Sequence, residues 1–450
     1  MTHRLSGRLA RVAAGFALAA LAAGCNDFLK ASNPSAIQVD DLSNPLYINL
    51  MVNGVIGEFQ GVVDDVDLRA GVFSDELFNN HGFFEEREID KRNIDQGNGT
   101  YPLVLYVPMQ RSRYLADSVA GRLKSFLGDT AARDLRLARV LAYAGHSYAL
   151  LAENLCTIPV NGSAPFSPED ITTKYTIPRF NEAIAIATAA RAYNTSTANQ
   201  AAADSIINWS RVGVARASLY INDKATARTF ALQVPAAFEF RSYYSAQNAR
   251  ENNAFYEATN GSPWVSLEPG YKRLNDPRVP YETLPRSVQS IGQGNADTVV
   301  SGNVRTIGAY VPDAGIMSGA YNGTVTGARW QRETFIKIAT GLEAQYIAAE
   351  ADGPTAATLA FINSRRAVGG QGTYTGTDIM GELRDQRRRD LFNDGHRLPD
   401  MRRYLKYQQL NLFPSGPYLG SSTGETYNAA TCWPLPLSEI AGNPNATTGT

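Results

Sequence analysis

Apolar residues recur at steps of three and four in two consecutive runs at the start of the segment 337–403. The first run, KIATGLEAQYIAAEA, places four of them on one helical face: Ile338, Leu342, Tyr346 and Ala349. A joint follows with Pro354 at its end, where a first helical residue needs no N–H donor. The second run, AATLAFINSRRA, is expected to stop at Gly369. The pattern therefore predicts two helices joined by a short turn.

A third helical run begins after Thr377 or Asp378, either of which could cap it, and is expected to end at Gly395. It combines apolar spacing with a high density of arginine and aspartate. On one interpretation these charges form a solvated face, with pairs worth about a few tenths of a kcal/mol each. On the other, some are interior, because Arg387 shares a stripe with leucines and could pair with Asp394 or Asp400. A buried pair of that kind is strongly destabilising to break.

The stretch RRRDLFNDGHRLPDMRRY resembles the C-terminal signature of the SusD/RagB family of bacterial outer-membrane nutrient-binding lipoproteins. The matching residues are Arg387, Leu391, Gly395, Arg397, Asp400 and Arg403. Gln386 and Asn393 stand where the family has Glu and Phe, and Asp390 and Asp394 are the shorter acid. The segments AEA and FINSRRA upstream and CWPLPLSEIAGNP in the tail resemble further family elements. The resemblance implies that the signature residues, with Asp394 among them, have a structural role.

Helical periodicity also extends from residue 109 to residue 234. Four residues stand at the offsets of a tetratricopeptide repeat: Trp209, Val212, Gly213 and Ala225. Gly213 is expected to let two helices approach, and Ala225 to fill their crossing. A second unit carries small and apolar residues on two helices: Leu141, Ala144, Gly145 and Tyr148, then Ala183, Ala187 and Ala190. With the SusD-like resemblance, this predicts a mainly α single domain, a tetratricopeptide-repeat-like helical scaffold with long irregular loops.

Residues 236–332 lose helical periodicity and become rich in Gly, Asn, Pro and Ser, with scattered aromatic residues. Long loops of this kind are usually functional or disordered, and the aromatic content argues against disorder. Indole and phenol rings offer flat faces to sugar C–H groups while Asn, Asp and Arg bond hydroxyls. The predicted ligand contacts here are Trp264, Tyr271 and Trp330. For each ring, packing inside the protein is the alternative.

The segment HGFFEERE contains two adjacent phenylalanines, Phe83 and Phe84, which cannot both face one side of a helix. One of them is expected to pack. In the SusD/RagB family the corresponding part of the chain contributes to the ligand cradle. The resemblance therefore makes Phe83 and Phe84 further candidates for stacking on a ligand.

Composition narrows the class of protein. The 450 residues are 44% hydrophobic, which is enough for a large core, and 19% charged. The formal net charge is −1 and no dense Lys/Arg tract occurs outside the mixed-sign run, so nucleic acid is not an expected partner. The 22 tyrosines favour a surface that contacts a polar, ring-shaped ligand, although Tyr is also common in exported helical proteins.

The N-terminus has the pattern of an export signal. Three arginines precede the apolar residues 12–23, and small residues lead to Cys25. The sequence Ala22-Ala23-Gly24-Cys25 resembles a bacterial lipobox, which implies lipid attachment at Cys25 through acyl chains such as palmitate. A plain cleavage site with an unrelated cysteine is the alternative. No later run approaches eighteen consecutive apolar residues.

Two further cysteines, Cys156 and Cys432, would face an oxidising compartment after export. They could pair, but nothing in the sequence supports a short distance between them. Two separate buried thiols are therefore the expected arrangement.

Catalytic signatures are absent from the sequence. It has no HExxH, P-loop or GxSxG motif, and the histidines after the signal segment are far apart in sequence: His81, His146 and His396. Asp64, Asp65 and Asp67 lack the spacing of a calcium loop. We expect no enzyme activity, no cofactor and no metal. A pair of carboxylates that meets only in space, as glycoside hydrolysis requires, stays an alternative.

The predicted organisation has six segments. They are a lipoprotein signal peptide (1–24), a tether (25–40), an N-terminal helical part (41–235), a variable ligand-binding region (236–335), C-terminal helices with the signature (336–405) and an extended tail (406–450).

The resemblance implies a non-catalytic surface lipoprotein, anchored in the outer membrane and facing outside. It would bind an oligosaccharide or a peptide and pass it to a SusC-like TonB-dependent outer-membrane barrel. The alternative is a tetratricopeptide-type scaffold lipoprotein that recruits a protein partner. In that case the aromatic residues of 236–332 should pack inward.

Overall fold

The computed structural model describes residues 43–79, 84–258, 264–279, 282–283, 310–311, 330–418 and 424–446. The helices, in chain order, are Ile48–Phe73 (α1), Phe84–Asp90 (α2), Val107–Leu127 (α3), Leu135–Asn154 (α4), Pro168–Ile171 (α5), Ile177–Tyr193 (α6), Thr197–Tyr220 (α7), Lys224–Ala231 (α8), Ala254–Tyr256 (α9), Pro269–Lys272 (α10), Gly341–Asp352 (α11), Ala356–Val368 (α12), Ile379–Asp390 (α13), Arg397–Gln408 (α14) and Leu437–Gly442 (α15). Short 3-10 or π turns are Pro45–Tyr47, Pro102–Tyr106, Gly128–Arg133, Thr172–Thr176 and Ala249–Glu251.

Strands are few and short in the described part of the chain. They are Leu77–Asn79 (β1), Glu239–Ser242 (β2), Val265–Leu267 (β3), Glu282–Thr283 (β4), Tyr310–Val311 (β5) and Ile336–Thr340 (β6). They form antiparallel pairs, β1 with β3, β2 with β6 and β4 with β5. The prediction of a mainly α protein is therefore confirmed.

The helical scaffold is centred on α4, which packs against α3, α6 and α7. The small and apolar residues predicted to face each other on α4 and α6 are buried, as expected. Phe180 of α6 is fully buried, and a side chain added at Gly145 of α4 would begin 3.0 Å from its ring. One added at Gly213 of α7 would overlap the same ring. Both glycines therefore make room for one phenyl group.

The crossing of α7 and α8 differs from the repeat pattern. Ala225 is exposed, and the buried alanines of α8 are Ala227 and Ala231. Gly213 accommodates the ring of Phe180 rather than the backbone of α8. The offsets of the repeat predict the pair of helices α7 and α8, but they do not predict which residues of the short, 8-residue helix α8 are buried.

Helix α1 is the long apolar helix of the N-terminal part. The segment Pro45–Phe73 is long and apolar enough to cross a membrane by composition alone. Its inward side chains are at most 1% exposed, however, at Val55, Phe59, Val62 and Val66. We therefore interpret α1 as a core helix of the described part of Asn49–Thr450, which forms one compact unit.

Three helix boundaries in the C-terminal part differ from the sequence pattern. Ile338 lies on β6 rather than on α11, because β6 pairs with β2. Helix α12 begins after Thr355, whose side chain accepts a hydrogen bond from the N–H of Thr358 at 3.1 Å, so Pro354 lies outside it. Helix α13 ends at Asp390, and Gly395 follows with φ 78°. The predicted extended tail contains the short helix α15.

The expectation of two separate thiols was wrong, because Cys156 and Cys432 form a disulfide with their Cα atoms 5.0 Å apart. The tail runs beside the end of α4, where the backbone N–H of Trp433 donates to the carbonyl of Asn154 at 2.8 Å. The N–H of Cys156 donates in turn to the carbonyl of Trp433 at 2.9 Å. This parallel bridge places the two cysteines side by side across 276 positions of sequence.

Candidate functional site

The pairing of β1 with β3 brings two predicted ligand-contact regions to one place. Asn79 pairs with Val265 in the antiparallel ladder, so Trp264 lies at the end of the ribbon where β1 finishes. After Asn79 the described chain resumes at Phe84, the first residue of α2. The Phe84 ring is 62% exposed and Trp264 is half-buried. Both rings are therefore at least partly accessible.

Arg69 of α1 connects these regions. Its Nη2 donates to Oε1 of Glu86 on α2 at 2.8 Å, and its Nη1 binds Asp65 one turn earlier on α1. The guanidinium carbon lies 5.4 Å from the ring centroid of Trp264, within the range of a cation–π contact. Burial opposes the charge of Arg69, but the carboxylates of Glu86 and Asp65 raise its pKa. We call Asp65, Arg69, Glu86 and Trp264 the Trp264 cluster; Phe84 stands two residues before Glu86 on α2.

Two buried polar atoms of this cluster have no hydrogen-bond partner within the protein that the structure describes. They are Nε of Arg69, a donor, and Oε2 of Glu86, an acceptor. Leaving such a group unsatisfied costs about 1–3 kcal/mol, so water or a ligand hydroxyl would stabilise both. A donor and an acceptor beside an aromatic ring suit a sugar, which has hydroxyls on its edge and C–H groups on its face.

The sequence does not indicate Arg69 and Glu86 as site residues. The spacing of Asp65 and Arg69 is visible as a helical pair four residues apart, but such pairs are common on any helix surface. The contacts of Arg69 with Glu86 and Trp264 depend on the course of the chain between α1 and β3.

The remaining predicted contacts lie elsewhere. Tyr271 is 1% exposed, with its ring centroid 5.2 Å from that of Phe392. Trp330 is 4% exposed and stacks on Phe255 at 4.3 Å between ring centroids. These two rings are packed inside the protein. Phe83 and Cys25 lie outside the described residues.

The charged signature is interior, which confirms the second of the two interpretations of that segment. Arg387 is 3% exposed, and its Nε donates to Oδ2 of Asp400 at 2.6 Å. Arg403 donates to Oδ1 of Asp400 from Nη2 at 2.9 Å and binds Glu350 of α11 through both terminal nitrogens. The partner of Arg387 is thus Asp400 and not Asp394. The pairs hold α11, α13 and α14 together.

The other signature residues tie this region to the N-terminal part. Arg397 donates from Nε and Nη2 to the two carboxylate oxygens of Asp75 at 2.6 and 2.7 Å. At Gly395, φ is 78°, and an added side chain would overlap the carboxylate of Asp67, so only glycine suits this position. Asp394 binds Nδ1 of His396 at 2.7 Å. These contacts join α1 and the segment that follows it to the start of α14.

His396 lies at the centre of a buried charge cluster. Its Nε2 is 2.9 Å from Oε1 of Glu343 and 2.7 Å from Nη2 of Arg216. Burial and the charge of Arg216 disfavour protonation of the His396 imidazole, but the carboxylates of Asp394 and Glu343 outweigh them and raise its pKa to about 10. The two carboxylates thus favour the protonated imidazole, whereas the contact with Nη2 of Arg216, which is itself a donor, opposes it. Among the described residues, no group of three or more His, Cys, Asp or Glu is arranged to hold a metal ion.

Comparison with known proteins identifies similar structures but no similar sequences. No family model matches the chain, and no curated protein matches it. A SusD superfamily protein from Parabacteroides distasonis is 13% identical, with a TM-score of 0.61 over 92% of this chain and 100% of that one. A SusD superfamily protein from Bacteroides vulgatus is 13% identical, with a TM-score of 0.58 over 90% and 98%.

A further similar structure is surface glycan-binding protein A from Bacteroides thetaiotaomicron in complex with laminarihexaose. It is 14% identical, with a TM-score of 0.62 over 89% of this chain and 98% of that one. At such identities the likeness establishes the fold, and it extends over nearly the whole of each chain.

Proposed function

We propose that this chain, which has the SusD-like fold, is a non-catalytic surface lipoprotein that binds a neutral glycan and passes it to a SusC-like TonB-dependent outer-membrane barrel. The observation that carries the proposal is the Trp264 cluster, where a partly accessible indole lies beside an unpartnered donor and an unpartnered acceptor. The similar structures include a protein in complex with laminarihexaose and a laminarin-binding SusD-like protein, which supports a glycan as the ligand.

Each part of the cluster has a distinct task in the proposed complex. Trp264 would stack on the C–H face of one sugar ring, and exposed Phe84 offers a second platform. Nε of Arg69 would donate to a hydroxyl and Oε2 of Glu86 would accept from one. Because two carboxylates already hold the guanidinium, its orientation is set before the ligand arrives, which reduces the entropy lost on binding.

The charge of the cluster selects among ligands. One guanidinium and two carboxylates, those of Asp65 and Glu86, leave a formal charge of −1. An anionic sugar such as a uronate would be repelled, whereas a neutral oligosaccharide would not. A peptide is the other class of ligand that the proposal includes, after a neutral oligosaccharide. Each carboxylate is bound to Arg69 through one oxygen, and the second oxygen of Glu86 is assigned to a ligand hydroxyl, consistent with binding without hydrolysis.

The location and the transport partner are further parts of the proposal. The lipobox-like sequence before Cys25 supports a lipid anchor, and the SusD-like fold supports a barrel partner. Mass spectrometry of the mature N-terminus should find acyl chains on Cys25, and Cys25→Ser should release the protein from the membrane fraction. Pull-down from outer membranes should recover a large barrel.

Titration calorimetry against neutral glycans, acidic glycans and peptides tests the binding site. Trp264→Ala should weaken the preferred neutral glycan about tenfold, and Phe84→Ala should weaken it less. Tyr193→Ala is the control, because Tyr193 is 65% exposed at the end of α6, a helix that carries no residue of the Trp264 cluster. Absence of any glycan or peptide binding, together with no barrel in the pull-down, would contradict the proposal. Release of shorter products from a bound glycan would favour a hydrolase instead.

The second candidate function is a tetratricopeptide-type scaffold lipoprotein that recruits a protein partner. The inward packing of Tyr271 and Trp330 favours it, because a scaffold would use these rings as core. It predicts stable capture of a soluble protein and no glycan binding by the wild-type chain.

A further inference from the structure

A cavity lies between β6 and the turn that follows α13. Its volume is about 250 Å³, and it is separate from the residues of the Trp264 cluster. Trp330, Ile336 and Phe392 supply apolar walls, and Asn393 supplies an amide. Lys337, whose side chain is 49% exposed, marks the side on which the cavity meets solvent. The cavity thus combines aromatic faces with an amide, the hydroxyl-bearing Thr334 and three charged residues.

Asn393 is buried without partners for its side chain. The residue is 2% exposed, and neither Oδ1 nor Nδ2 has a hydrogen-bond partner in the protein that the structure describes. Its backbone is fixed, since its N–H donates to Oε1 of Glu76 at 3.0 Å and its φ is 59°, a conformation that Asn and Gly adopt more readily than other residues. A buried amide with a free donor and a free acceptor is unfavourable unless something enters the cavity to bind it.

The charged groups around the cavity are already neutralised. Each has an ion-pair partner at 2.7 Å: Asp390 with Arg365, Asp394 with His396, and Lys337 with Glu239. The amide of Asn393 is therefore a lining group with unmet hydrogen-bonding capacity among the described residues. A ligand that satisfies it must donate one hydrogen bond and accept another, and it needs no charge.

We propose that this cavity is a second binding subsite, which takes one neutral polyhydroxylated ring of monosaccharide size. Trp330 and Phe392 would contact its C–H groups, and the Asn393 amide would bind two neighbouring hydroxyls. The volume is below the roughly 300–1,000 Å³ of pockets for drug-sized ligands, which suits one ring and not a chain. The ligand class rests on the proposed glycan-binding function, whereas the cavity itself is formed by other residues.

The SusD/RagB signature has phenylalanine where this chain has Asn393, so the amide is a departure of this chain from that pattern. A phenyl group could make neither of the two hydrogen bonds that the amide offers. The subsite is accordingly a property of this sequence and does not follow from the fold.

Ligand-observed NMR with the full chain tests the subsite, using glucose, galactose and mannose as neutral probes and glucose 6-phosphate and glucuronate as charged ones. We expect saturable millimolar binding of at least one neutral hexose and about tenfold weaker binding of the charged probes. Asn393→Gly, which keeps the left-handed backbone, and Asn393→Asp, which keeps the shape, should each weaken the neutral hexose about tenfold. Tyr193→Ala, an exposed change at the end of α6, should leave this binding unchanged.

Oligosaccharide binding by the same variants separates the two proposals. If Asn393→Gly retains oligosaccharide affinity at the Trp264 cluster while losing the hexose, the subsite is supported and the variant is folded. If the wild-type chain binds oligosaccharide but no neutral hexose in the millimolar range, this inference is overturned and the proposed function stands. Equal hexose affinity in wild type and both Asn393 variants would also overturn it, whether or not oligosaccharide binds.

Discussion

Replacing Asp400 by asparagine should destabilise the protein more than any ordinary surface substitution. The Asp400 carboxylate is 6% exposed and accepts hydrogen bonds from Arg387 at 2.6 Å and from Arg403 at 2.9 and 3.1 Å. In Asp400→Asn, Arg403 keeps Glu350, but Arg387 loses its only ion-pair partner among the described residues. Nη1 of Arg387 already has no hydrogen-bond partner in the described protein, and a contact that remains is the Tyr346 ring, 6.0 Å from the guanidinium carbon.

The magnitude follows from the burial of the pair. Removing one partner of a buried ion pair costs about 3–5 kcal/mol, because the other charge is left without compensation. Burial disfavours the ionised form of Asp400, but the charges of Arg387 and Arg403 outweigh this effect and lower its pKa from 3.8 to about 2. A shift of this size contributes about 2 kcal/mol to stability. That contribution is fully present above pH 3.8 and is lost as the pH falls through 2, since the folded pKa is the lower one.

Urea denaturation of the oxidised protein measures the effect. At pH 7 the free energy of unfolding of Asp400→Asn should lie about 3–5 kcal/mol below that of wild type, and the gap should narrow as the pH falls from 4 towards 2. The control Asp129→Asn makes the same change at an exposed position and should cost less than about 0.5 kcal/mol. The double variant Arg387→Met/Asp400→Leu should recover much of the loss. A loss below about 1 kcal/mol at pH 7 would refute the assignment of a desolvated pair.

Further predictions concern pH, the disulfide and the scaffold. The pKa of His396 is raised to about 10, so its contribution of roughly 3–5 kcal/mol to the free energy of unfolding is present below pH 6.5 and is lost as the pH rises through 10. The difference in stability between wild type and His396→Gln should therefore shrink between pH 6.5 and pH 10. A difference that stays constant over this window would contradict the prediction. Reducing the Cys156–Cys432 disulfide, which spans 276 positions, should lower the free energy of unfolding by about 5 kcal/mol in the chain-entropy description, measured by urea denaturation with and without reductant. Gly213→Ala should lower the free energy of unfolding by about 1–3 kcal/mol, because the added methyl group overlaps the ring of Phe180. Adding Phe180→Leu should restore part of that loss. Calorimetric melting would show whether the double variant is more stable than Gly213→Ala alone.

Local pattern determined the helical character of this protein. The apolar spacing predicts α11, α12 and α13 and the facing residues of α4 and α6, because a helix is set by interactions among residues three and four positions apart. The stripe shared by Arg387 with apolar residues also indicates that the signature is interior. The limits of local pattern are visible at Ile338, which fits a helical face but lies on β6 because β2 pairs with it.

The tertiary structure decided which distant residues meet. Cys156 meets Cys432 because the tail runs beside the end of α4, and Arg69 meets Glu86 and Trp264 because β1 pairs with β3. These contacts join residues separated by tens to hundreds of positions through connections whose course no local periodicity encodes. Helices form from near neighbours in sequence, whereas a site on this scaffold forms where separate segments cross, so the sequence predicts its kinds of residue but not its members.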